Sequence, residues 1–529
     1  MPIKSYLADV EVPHVPFHDF IISNVEKYGT NTALINHDTN EAFTFADIIS
    51  KTKYIANSLV SLGIEKGEAV ILCVPNSPDF VWLFLGISMA GGIVSPLHPT
   101  FSRDEMRLQI SDSAARFAFA VPSALSNLSA VFCELDFVHR IICVGSRKES
   151  DGYPIISDLA LTSATCSNCF PETYPDDDIV FLPYSSGTSG PRKGVAITHY
   201  ALNAMLTIFN NSNAYEVTSR GECTIARMCF HDAFGRDALF SSLLNGTTTV
   251  TTNGSDEIFA ECLQKYKVRI IFVNPLILRK LCSVEITTNY PLSYLKTVVI
   301  GTAAPDGEMM RAAYKCLPSV RHYSSVYGMT EVGSVCRSTK SSSFNIHSCG
   351  SLCANLSMKV VDLLTAKEMG PNERGLILIS GPSINSPYWN NEKATMEDFK
   401  YSGWRNTGDI GYYDRYGNVF LVDRVKQMIK VHGCQVTPQE LESILISHPC
   451  VAEAAVVPVK VASEDEMPLA FVVLRPRTSA SPDEIMNYVN GRVSPYKRLA
   501  KVVIALTIPR SPSGRILRRM LREAACLYV

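Results

Sequence analysis

The sequence predicts an α/β protein: a large N-terminal domain of mostly parallel sheets, a small β-barrel-like subdomain and a small, mobile α+β C-terminal domain. Strand-like and helix-like patterns alternate through the first 170 residues, short strands separated by Gly and Pro turns follow from about residue 350, and the alternation returns after Asp423. With 529 residues, the chain has room for three or four units of about 150 residues each.

The N-terminal elements are predicted from hydrophobic periodicity. Residues 45–62 carry apolar side chains at helical spacing and end at Gly63, and residues 69–74 form a short apolar run typical of a buried strand. A helix from Pro78 and a strand at residues 93–94 follow, and strand-like runs recur at 248–251, 270–273 and 297–300. Strands that alternate with helices indicate a parallel sheet with helices on its faces.

One charge-free stretch, residues 80–102, has the length of a membrane span. Gly91, Gly92 and Pro96 interrupt it, and its apolar density falls after Val94. A buried helix over residues 80–90 followed by a buried strand over residues 92–97 explains the pattern better, so no transmembrane segment is predicted.

The second half of the chain is predicted to be antiparallel at first. Strands are predicted at residues 358–361, 376–379, 411–414 and 419–422, and the turn at 415–418 joins the last two into a hairpin. Helix and strand patterns follow at 438–447, 454–458, 469–474 and 482–493. The predicted domains are therefore residues 1–423 and residues 424–529.

Composition excludes several classes of function. Lys and Arg number 49 against 51 Asp and Glu, a net charge of −2, which does not suggest a nucleic-acid binder. The 16 cysteines follow no framework, and the pair Cys166 and Cys169 has no second pair to complete a zinc site, so free thiols are expected. Neither a signal peptide nor a peroxisomal tripeptide is evident, so a cytoplasmic location is expected; a mitochondrial one, peripheral membrane contact, and a monomer or homodimer all stay open.

Residues 184–194, Tyr-Ser-Ser-Gly-Thr-Ser-Gly-Pro-Arg-Lys-Gly, follow a strand-like run and form the strongest local motif. Small hydroxyl residues and glycines let backbone N–H groups converge on an anion, and Lys193 adds a positive charge. The motif is not a Walker A loop, because Arg192 precedes the lysine and Gly194 follows it. The sequence favours a phosphate loop over a flexible linker.

The same residues resemble the SSGTTG-x-x-KG signature of the adenylate-forming superfamily, which includes acyl-CoA synthetases, luciferases and adenylation domains. Further segments resemble its motifs in the same order: residues 327–331, Trp404 with residues 407–409, residues 423–433, and residues 512–514. The resemblance covers about residues 15–520 and is strongest to acyl-CoA ligases of the 4-coumarate–CoA-ligase and firefly-luciferase type.

This resemblance implies an ATP-dependent acyl-CoA ligase that activates a hydrophobic carboxylic acid, fatty or arylalkenoic, as acyl-AMP and transfers it to CoA. Mg²⁺ is the implied metal, held at Glu331 and Thr188. The implied catalytic residues are Arg515, Lys430, His231 and Thr330. The implied ATP and AMP contacts are Ser185, Ser186, Gly187, Thr188, Ser189, Gly190, Lys193, Tyr327, Gly328, Thr330, Asp409, Arg424, Lys430 and Gln435.

The resemblance also implies an acyl pocket, a CoA contact and a hinge. The implied acyl-pocket residues are His231, Ala233, Asp237, Gly301, Thr302 and Ala303. His432 and Gly433 lie where the family contacts CoA, and Lys426 lies at the hinge about which the C-terminal domain rotates. Ala233 stands where relatives carry a bulkier aromatic residue, which favours a different or longer acyl chain.

The chain departs from the family most sharply at Arg515, where the family has its catalytic lysine. Arginine keeps the charge but is longer, planar and forked, so the exchange is not conservative at a tight contact. The sequence therefore leaves three alternatives beside a competent ligase: a weakened or non-catalytic nucleotide or acyl binder, a luciferase-like enzyme, and a peptide-synthetase-type adenylation module.

Overall fold

A computed structural model describes residues 2–135, 140–161, 170–185, 192–305, 307–342, 344–431, 434–460, 466–511 and 514–528. It confirms the predicted mixed α/β architecture. The α-helices are α1 (Phe17–Val25), α2 (Phe45–Ser61), α3 (Pro78–Met89), α4 (Arg103–Ser113), α5 (Pro122–Glu134), α6 (His199–Phe209), α7 (Ala233–Leu244), α8 (Asp256–Lys265), α9 (Pro275–Leu281), α10 (Val284–Asn289), α11 (Gly307–Cys316), α12 (Glu392–Asp398), α13 (Pro438–Ile446), α14 (Pro482–Asn490) and α15 (Arg518–Ala525).

The strands are short and cover most of the segments predicted to be extended. They are β1 (Ile3–Lys4), β2 (Thr32–Asn36), β3 (Glu41–Thr44), β4 (Ala69–Cys73), β5 (Ile93–Pro96), β6 (Phe117–Ala120), β7 (Arg140–Cys143), β8 (Ile179–Phe181), β9 (Tyr184–Ser185), β10 (Lys193–Gly194), β11 (Ile197–Thr198), β12 (Cys223–Ala226), β13 (Thr248–Thr251), β14 (Ile270–Val273), β15 (Thr297–Ile300), β16 (His322–Met329), β17 (Gly333–Arg337), β18 (Ser351–Leu352), β19 (Ser357–Val361), β20 (Gly375–Ser380), β21 (Arg405–Tyr413), β22 (Val419–Arg424), β23 (Ile429–Val431), β24 (Cys434–Val436), β25 (Val451–Lys460), β26 (Glu466–Leu474) and β27 (Lys501–Ile504).

The helix predicted at residues 45–62 is α2, and its start is fixed by local chemistry. The Thr44 hydroxyl accepts the Asp47 backbone N–H at 3.1 Å, and the Asp47 carboxylate accepts the Thr44 backbone N–H at 2.8 Å. This capping box satisfies two backbone donors that would otherwise lack partners at the helix start. Phe45, Ile48 and Leu59 then bury their side chains in the main core.

Three mixed sheets build the N-terminal part in the region that the structure describes. Their strand orders are β11-β8-β5-β4-β6-β7, β12-β13-β2-β3 and β14-β15-β16-β17-β18. The central pairs β4–β5, β4–β6, β12–β13, β14–β15 and β15–β16 are parallel, as the alternating pattern predicts. Because parallel strands end at the same edge of a sheet, the loops after them are brought close together.

The antiparallel region predicted after residue 350 is the sheet β1-β19-β20-β21-β22, and the predicted hairpin is the pair β21–β22. A short 3₁₀ turn, Val425–Gln427, follows β22. Beyond it lie the hairpin β23–β24 and the sheet β25-β26-β27, which packs on α13, α14 and α15. Buried residues from Ile429 to Ala525 form two hydrophobic clusters of their own.

The apolar segment that had the length of a membrane span is a buried helix and strand. α3 has 12 residues, about 18 Å at 1.5 Å per residue, which is too short for a bilayer core of about 30 Å. Its side chains from Phe80 to Met89 are buried against α1, α2 and the first sheet. No helix in the described ranges combines the length and apolar character needed to cross a membrane.

Candidate active site

A cleft lies where the carboxyl ends of several parallel strands meet, and it encloses about 1140 Å³ including its open mouth. His98 follows β5, Tyr184 and Ser185 follow β8, Cys229 to Phe234 follow β12, and Thr302 follows β15. Ligands in open α/β sheets bind at this edge, outside the carboxyl ends of the strands. The cleft wall consists of Pro96, His98, Phe101, Gln109, Pro183, Tyr184, Ser185, Arg192, Cys229, His231, Asp232, Ala233, Phe234, Asp237, Thr302, Val326, Gly328, Met329, Thr330, Gly333, Ser334, Ser511 and Arg515.

Three residues from separate sequence motifs meet beside the cleft. The Tyr327 hydroxyl donates to Asp409 Oδ2 at 2.6 Å, and Arg424 Nε donates to Asp409 Oδ1 at 2.8 Å. Tyr327 and Asp409 are only 8% and 4% exposed. Burial and the Asp409 charge hold the pKa of Tyr327 well above its usual value, so the phenol stays a donor. Each carboxylate oxygen keeps a lone pair that can accept a further donor from a ligand.

The antiparallel register of β21 and β22 explains this arrangement. Asp409 and Arg424 are direct cross-strand partners, so their side chains lie on the same face of the sheet. Thr407 fixes the bend before Asp409, since its hydroxyl accepts the Asp409 backbone N–H at 3.0 Å and donates to the Ile377 carbonyl at 2.9 Å. The Thr-Gly-Asp motif therefore orients the Asp409 carboxylate through hydrogen bonds between residues close in sequence.

Lys193 and Glu331 lie on either side of a tyrosine. The ammonium of Lys193 lies 4.6 Å from the centre of the Tyr388 ring. The Tyr388 hydroxyl oxygen lies 3.0 Å from Glu331 Oε1 and 2.9 Å from Asp398 Oδ2, so its one proton is shared between two carboxylates. Lys193 pairs with Ser185 across the β9–β10 hairpin. Residues 186–191, which include the predicted contacts Ser186, Gly187, Thr188, Ser189 and Gly190, lie outside the described residues.

Two histidines line the part of the wall that is predicted to form the acyl pocket. The rings of His98 and His231 are 5.5 Å apart, and His231 Nδ1 is 2.9 Å from the Cys229 sulfur. Burial, and then the neighbouring His98, lower the pKa of His231 to about 3, so its imidazole is neutral at physiological pH. Burial also raises the pKa of the Cys229 thiol to about 12. Neither side chain carries a charge that would repel an apolar substrate.

The N-terminal turn of α7 supplies another part of the predicted acyl-pocket wall. Gly235 allows this turn to approach the Cys229 carbonyl so closely that a Cβ would lie 2.1 Å from the carbonyl oxygen. Asp237 lines the cleft, yet its charge is compensated, because Arg236 Nε and Nη2 donate to Asp237 Oδ1 at 2.9 and 2.7 Å. The two side chains are 1% and 3% exposed, so this is a buried ion pair of sequence neighbours.

Arg515 reaches the cleft from the C-terminal part of the chain. Ser511 holds its loop, since the Ser511 hydroxyl accepts the Arg515 backbone N–H at 3.2 Å. Gly514 has a φ of +83° and packs against the side chain of Asn274. A second contact between the two parts is the bidentate pair of Arg475 with Glu308, at 2.9 and 2.8 Å. The C-terminal part is therefore seated on the cleft, with Arg515 in its wall.

The remaining predicted residues are distributed as follows. Gly328, Thr330, Ala233 and Thr302 line the cleft, Gly301 packs against the Phe234 ring, and Ala303 is exposed outside the wall. Lys430 and Gln435 are paired positions of the β23–β24 hairpin, and Lys426 lies in the 3₁₀ turn. His432, Gly433, Cys166 and Cys169 lie outside the described residues.

Sequence reasoning missed three polar residues of this region. His98 follows a buried strand, and polar residues after parallel strands are a signal that could have indicated it. Asp232 adjoins the predicted His231 but carried no separate motif. Tyr388 has no local signal, because only the fold brings it beside Glu331 and Lys193.

The fold and cleft define a two-part enzyme in which both parts contribute residues to one cleft wall, and comparisons with known proteins agree. The sequence profile described as "AMP-binding enzyme" matches residues 22–389, and that of the "AMP-binding enzyme C-terminal domain" matches residues 440–515. The 4-coumarate–CoA ligase of Vanilla planifolia is 35% identical over 98% of this chain and 95% of its own. A 4-coumarate:CoA ligase of Petunia hybrida is 34% identical over 98% and 96%.

Solved structures share the fold. ATP-bound MatB from Rhodopseudomonas palustris superposes with a TM-score of 0.86 at 21% identity, over 97% of this chain and 99% of its own. An anthranilate CoA ligase in complex with anthranoyl-AMP gives a TM-score of 0.85 at 24% identity, with 98% of both chains covered. The chain therefore belongs to the AMP-binding enzyme family, among its AMP-forming acid–thiol ligases, the acyl- and aryl-CoA ligases. Such ligases use ATP, CoA and a small carboxylic acid, and form an acyl-AMP intermediate.

Proposed function

We propose that this chain activates a hydrophobic carboxylic acid, fatty or arylalkenoic, with ATP and transfers the acyl group to CoA. The observation that carries the proposal is that His231 and Arg515 line one cleft and that the Tyr327–Asp409–Arg424 cluster lies beside it. We assign that cluster to the nucleotide and the wall around His231 to the acyl group. Apolar Phe101, Phe234 and Met329 line that wall, and the charge of Asp237 within helix α7 is paired with Arg236.

The reaction proceeds in two displacement steps. A carboxylate oxygen of the acid attacks the α-phosphorus of ATP, the bond to the β-phosphate oxygen breaks, and pyrophosphate leaves. The CoA sulfur then attacks the acyl carbon, the bond to AMP breaks, and the thiol proton passes to solvent. The first step brings anions together, so it needs fixed cations and donors at the reacting oxygens.

The cleft provides such groups at separate points. Asp409 has lone pairs for the ribose hydroxyls, with Arg424 fixing its orientation. Lys193, at the base of the hairpin that carries the phosphate loop, would meet the β- and γ-phosphates, and Thr330 would donate to the α-phosphate. Arg515 would bridge the acid and the α-phosphate, and the neutral, buried His231 would border the reacting carboxyl group.

The residues present fit Mg²⁺. Glu331 is a buried carboxylate, 7% exposed, whose Oε1 lies 3.0 Å from the Tyr388 hydroxyl. Mg²⁺ prefers oxygen ligands and keeps phosphate oxygens and water around one or two carboxylates. When bound, the ion supplies charge neutralisation for the triphosphate. We propose Glu331 as its ligand, with Thr188 as the second.

We further propose that the part after the Val425–Gln427 turn is a mobile domain. Lys426 would be its hinge, Lys430 and Gln435 would face the adenylate, and His432 and Gly433 would face CoA. The contacts Arg475–Glu308 and Gly514–Asn274 seat this part on the cleft, and a domain that opens would have to break them.

Pyrophosphate release with ATP and a panel of fatty and arylalkenoic acids tests this proposal. Release should require both ATP and an acid, and no release with any acid would refute it. A weakened or non-catalytic binder is the second candidate, favoured by the arginine at 515. Arg515→Lys separates the two: a large gain in rate indicates an intact site limited by this residue, whereas ATP binding without any release in either variant indicates a binder.

A further inference from the structure

In the part of the chain that the structure describes, the Asp232 carboxylate in the cleft wall has no hydrogen-bonding partner. It occupies the N-cap position of α7, where Asp side chains usually accept a backbone N–H of the first turn. Here the side chain caps nothing, and among the residues that the structure describes it makes no hydrogen bond. A partly buried carboxylate without a partner is unfavourable, so its conformation points to a partner of another kind.

Two arginines line the same cleft as Asp232 and are close enough to affect its charge. Arg192 is already engaged, since its guanidinium lies 3.6 Å from Glu105 Oε1 and 4.3 Å from the centre of the Phe101 ring. Arg515 is not, because no residue in the described ranges hydrogen-bonds to its guanidinium. Arg515 therefore lines the same cleft as Asp232 and has guanidinium N–H groups available to donate to it.

The charges of the two side chains affect one another. Burial raises the pKa of Asp232, and Arg515, followed by Arg192, opposes that rise. Arg515 is exposed to solvent, yet desolvation by the surrounding cleft and then Arg424 lower its pKa. Asp232 is the first of the carboxylates that oppose this, before Glu331 and Asp409. Without Asp232, less negative charge would offset the repulsion between Arg515 and Arg424.

We propose that Asp232 is a positioning residue that holds the Arg515 guanidinium in the closed cleft. Held in this way, the forked guanidinium can take the role that a lysine ammonium has in the family. The inference rests on the proposed function and extends it to a residue outside the sequence motifs. A guanidinium has five N–H donors in one plane. One edge can bind Asp232 while the other faces the oxygens of the acid and the α-phosphate. A lysine ammonium, a compact point charge, reaches such oxygens without a second anchor.

A double-mutant cycle on adenylation tests this pair. Acyl-AMP formation is measured by pyrophosphate release in the four proteins with Asp or Asn at 232 and Arg or Lys at 515. With Arg515, Asp232→Asn should slow acyl-AMP formation about tenfold, within the hundredfold that a misplacement of about 1 Å can cause. With Arg515→Lys the same change should matter less than about twofold.

Two readouts separate positioning from a merely structural role. Asp232→Asn should leave the conversion of supplied acyl-AMP to acyl-CoA unchanged, because a residue that acts through Arg515 affects only the adenylation step. Asp237→Asn is the matched control on the same helix and the same cleft; Asp237 pairs with Arg236, so its effect should not depend on residue 515. The same slowing with both residues at 515, faster adenylation in Asp232→Asn, or coupling to Arg192→Gln instead would overturn the proposal.

If no acid is activated, the proposed function is refuted, but the pairing of Asp232 with Arg515 can still be tested by a measurement that needs no turnover. Phenylglyoxal modifies arginines that are free and partly deprotonated, and peptide mapping reports its rate at Arg515. Asp232→Asn should speed labelling of Arg515 several-fold, whereas Asp237→Asn should not. Equal rates in the wild type and in Asp232→Asn would overturn the pairing. Thermal unfolding of each variant confirms that it is folded.

Discussion

Removal of the Tyr327 phenol oxygen tests how the nucleotide-side carboxylate is held. In Tyr327→Phe, Asp409 Oδ2 loses a 2.6 Å hydrogen bond, while Arg424 still donates to Oδ1. Both partners are almost fully buried, so water cannot fully replace the lost donor. A hydrogen bond to a charged group contributes about 1.5–3 kcal/mol, and the free energy of unfolding should fall by that amount.

The same loss should weaken nucleotide binding. Asp409 would be fixed from one side only, so part of the ATP binding energy would go into orienting it. About 1.4 kcal/mol of that energy corresponds to a tenfold rise in Kd. Calorimetric titration with ATP in the absence of acid measures this effect separately from turnover. Thermal unfolding of the same samples should show a midpoint lowered by a few degrees.

Tyr413→Phe is the matched control. Tyr413 lies in the same strand as Asp409 and is 7% exposed, but in the described part of the chain its hydroxyl makes no hydrogen bond. Its removal should change the unfolding midpoint and the ATP affinity little. If Tyr327→Phe behaves like Tyr413→Phe in both measurements, the phenol oxygen does not hold the carboxylate and the reasoning is wrong.

Burial raises the pKa of Asp423 from 3.8 to about 6, so its contribution to stability is complete below about pH 4 and is lost as the pH rises through about 6. The free energy of unfolding of the wild type should therefore be lower at about pH 7 than at about pH 4, by up to about 3 kcal/mol from this group, and Asp423→Asn should remove that difference. If the variant shows the same difference between the two pH values as the wild type, the prediction is wrong. Because the His231 pKa is lowered to about 3, His231→Gln should lower the rate without altering the pH–rate profile between about pH 5 and 8, and loss of a transition near 6.5 would refute this. Arg475→Ala should cost less than about 1 kcal/mol of stability yet speed proteolysis at the Val425–Gln427 turn. Lys497→Ala, whose ion pair lies within the C-terminal part, is its control and should not speed cleavage.

Several site residues could be predicted from sequence because their geometry is local. The Thr-Gly-Asp motif orients Asp409 through Thr407, two residues away, and the hairpin register sets Arg424 opposite it. Helix and strand patterns are local for the same reason: periodicity and capping depend on neighbours a few positions apart, as Thr44 and Asp47 show at the start of α2.

Other features were decided by tertiary structure. Tyr327 meets Asp409 from 82 positions away, and Tyr388 reaches Glu331 across 57. Asp232 and Arg515 share a wall only because the C-terminal part is seated on the cleft. No spacing in the chain encodes such encounters.

The sequence by itself determined the class of fold, the order of the motifs and the cation at 515, since each is written in consecutive residues. Only the tertiary structure decided which side chains share the cleft and which stay unpaired in it. The physical reason is that the cleft forms where the carboxyl ends of strands from distant segments converge, and that convergence results from packing across the whole core.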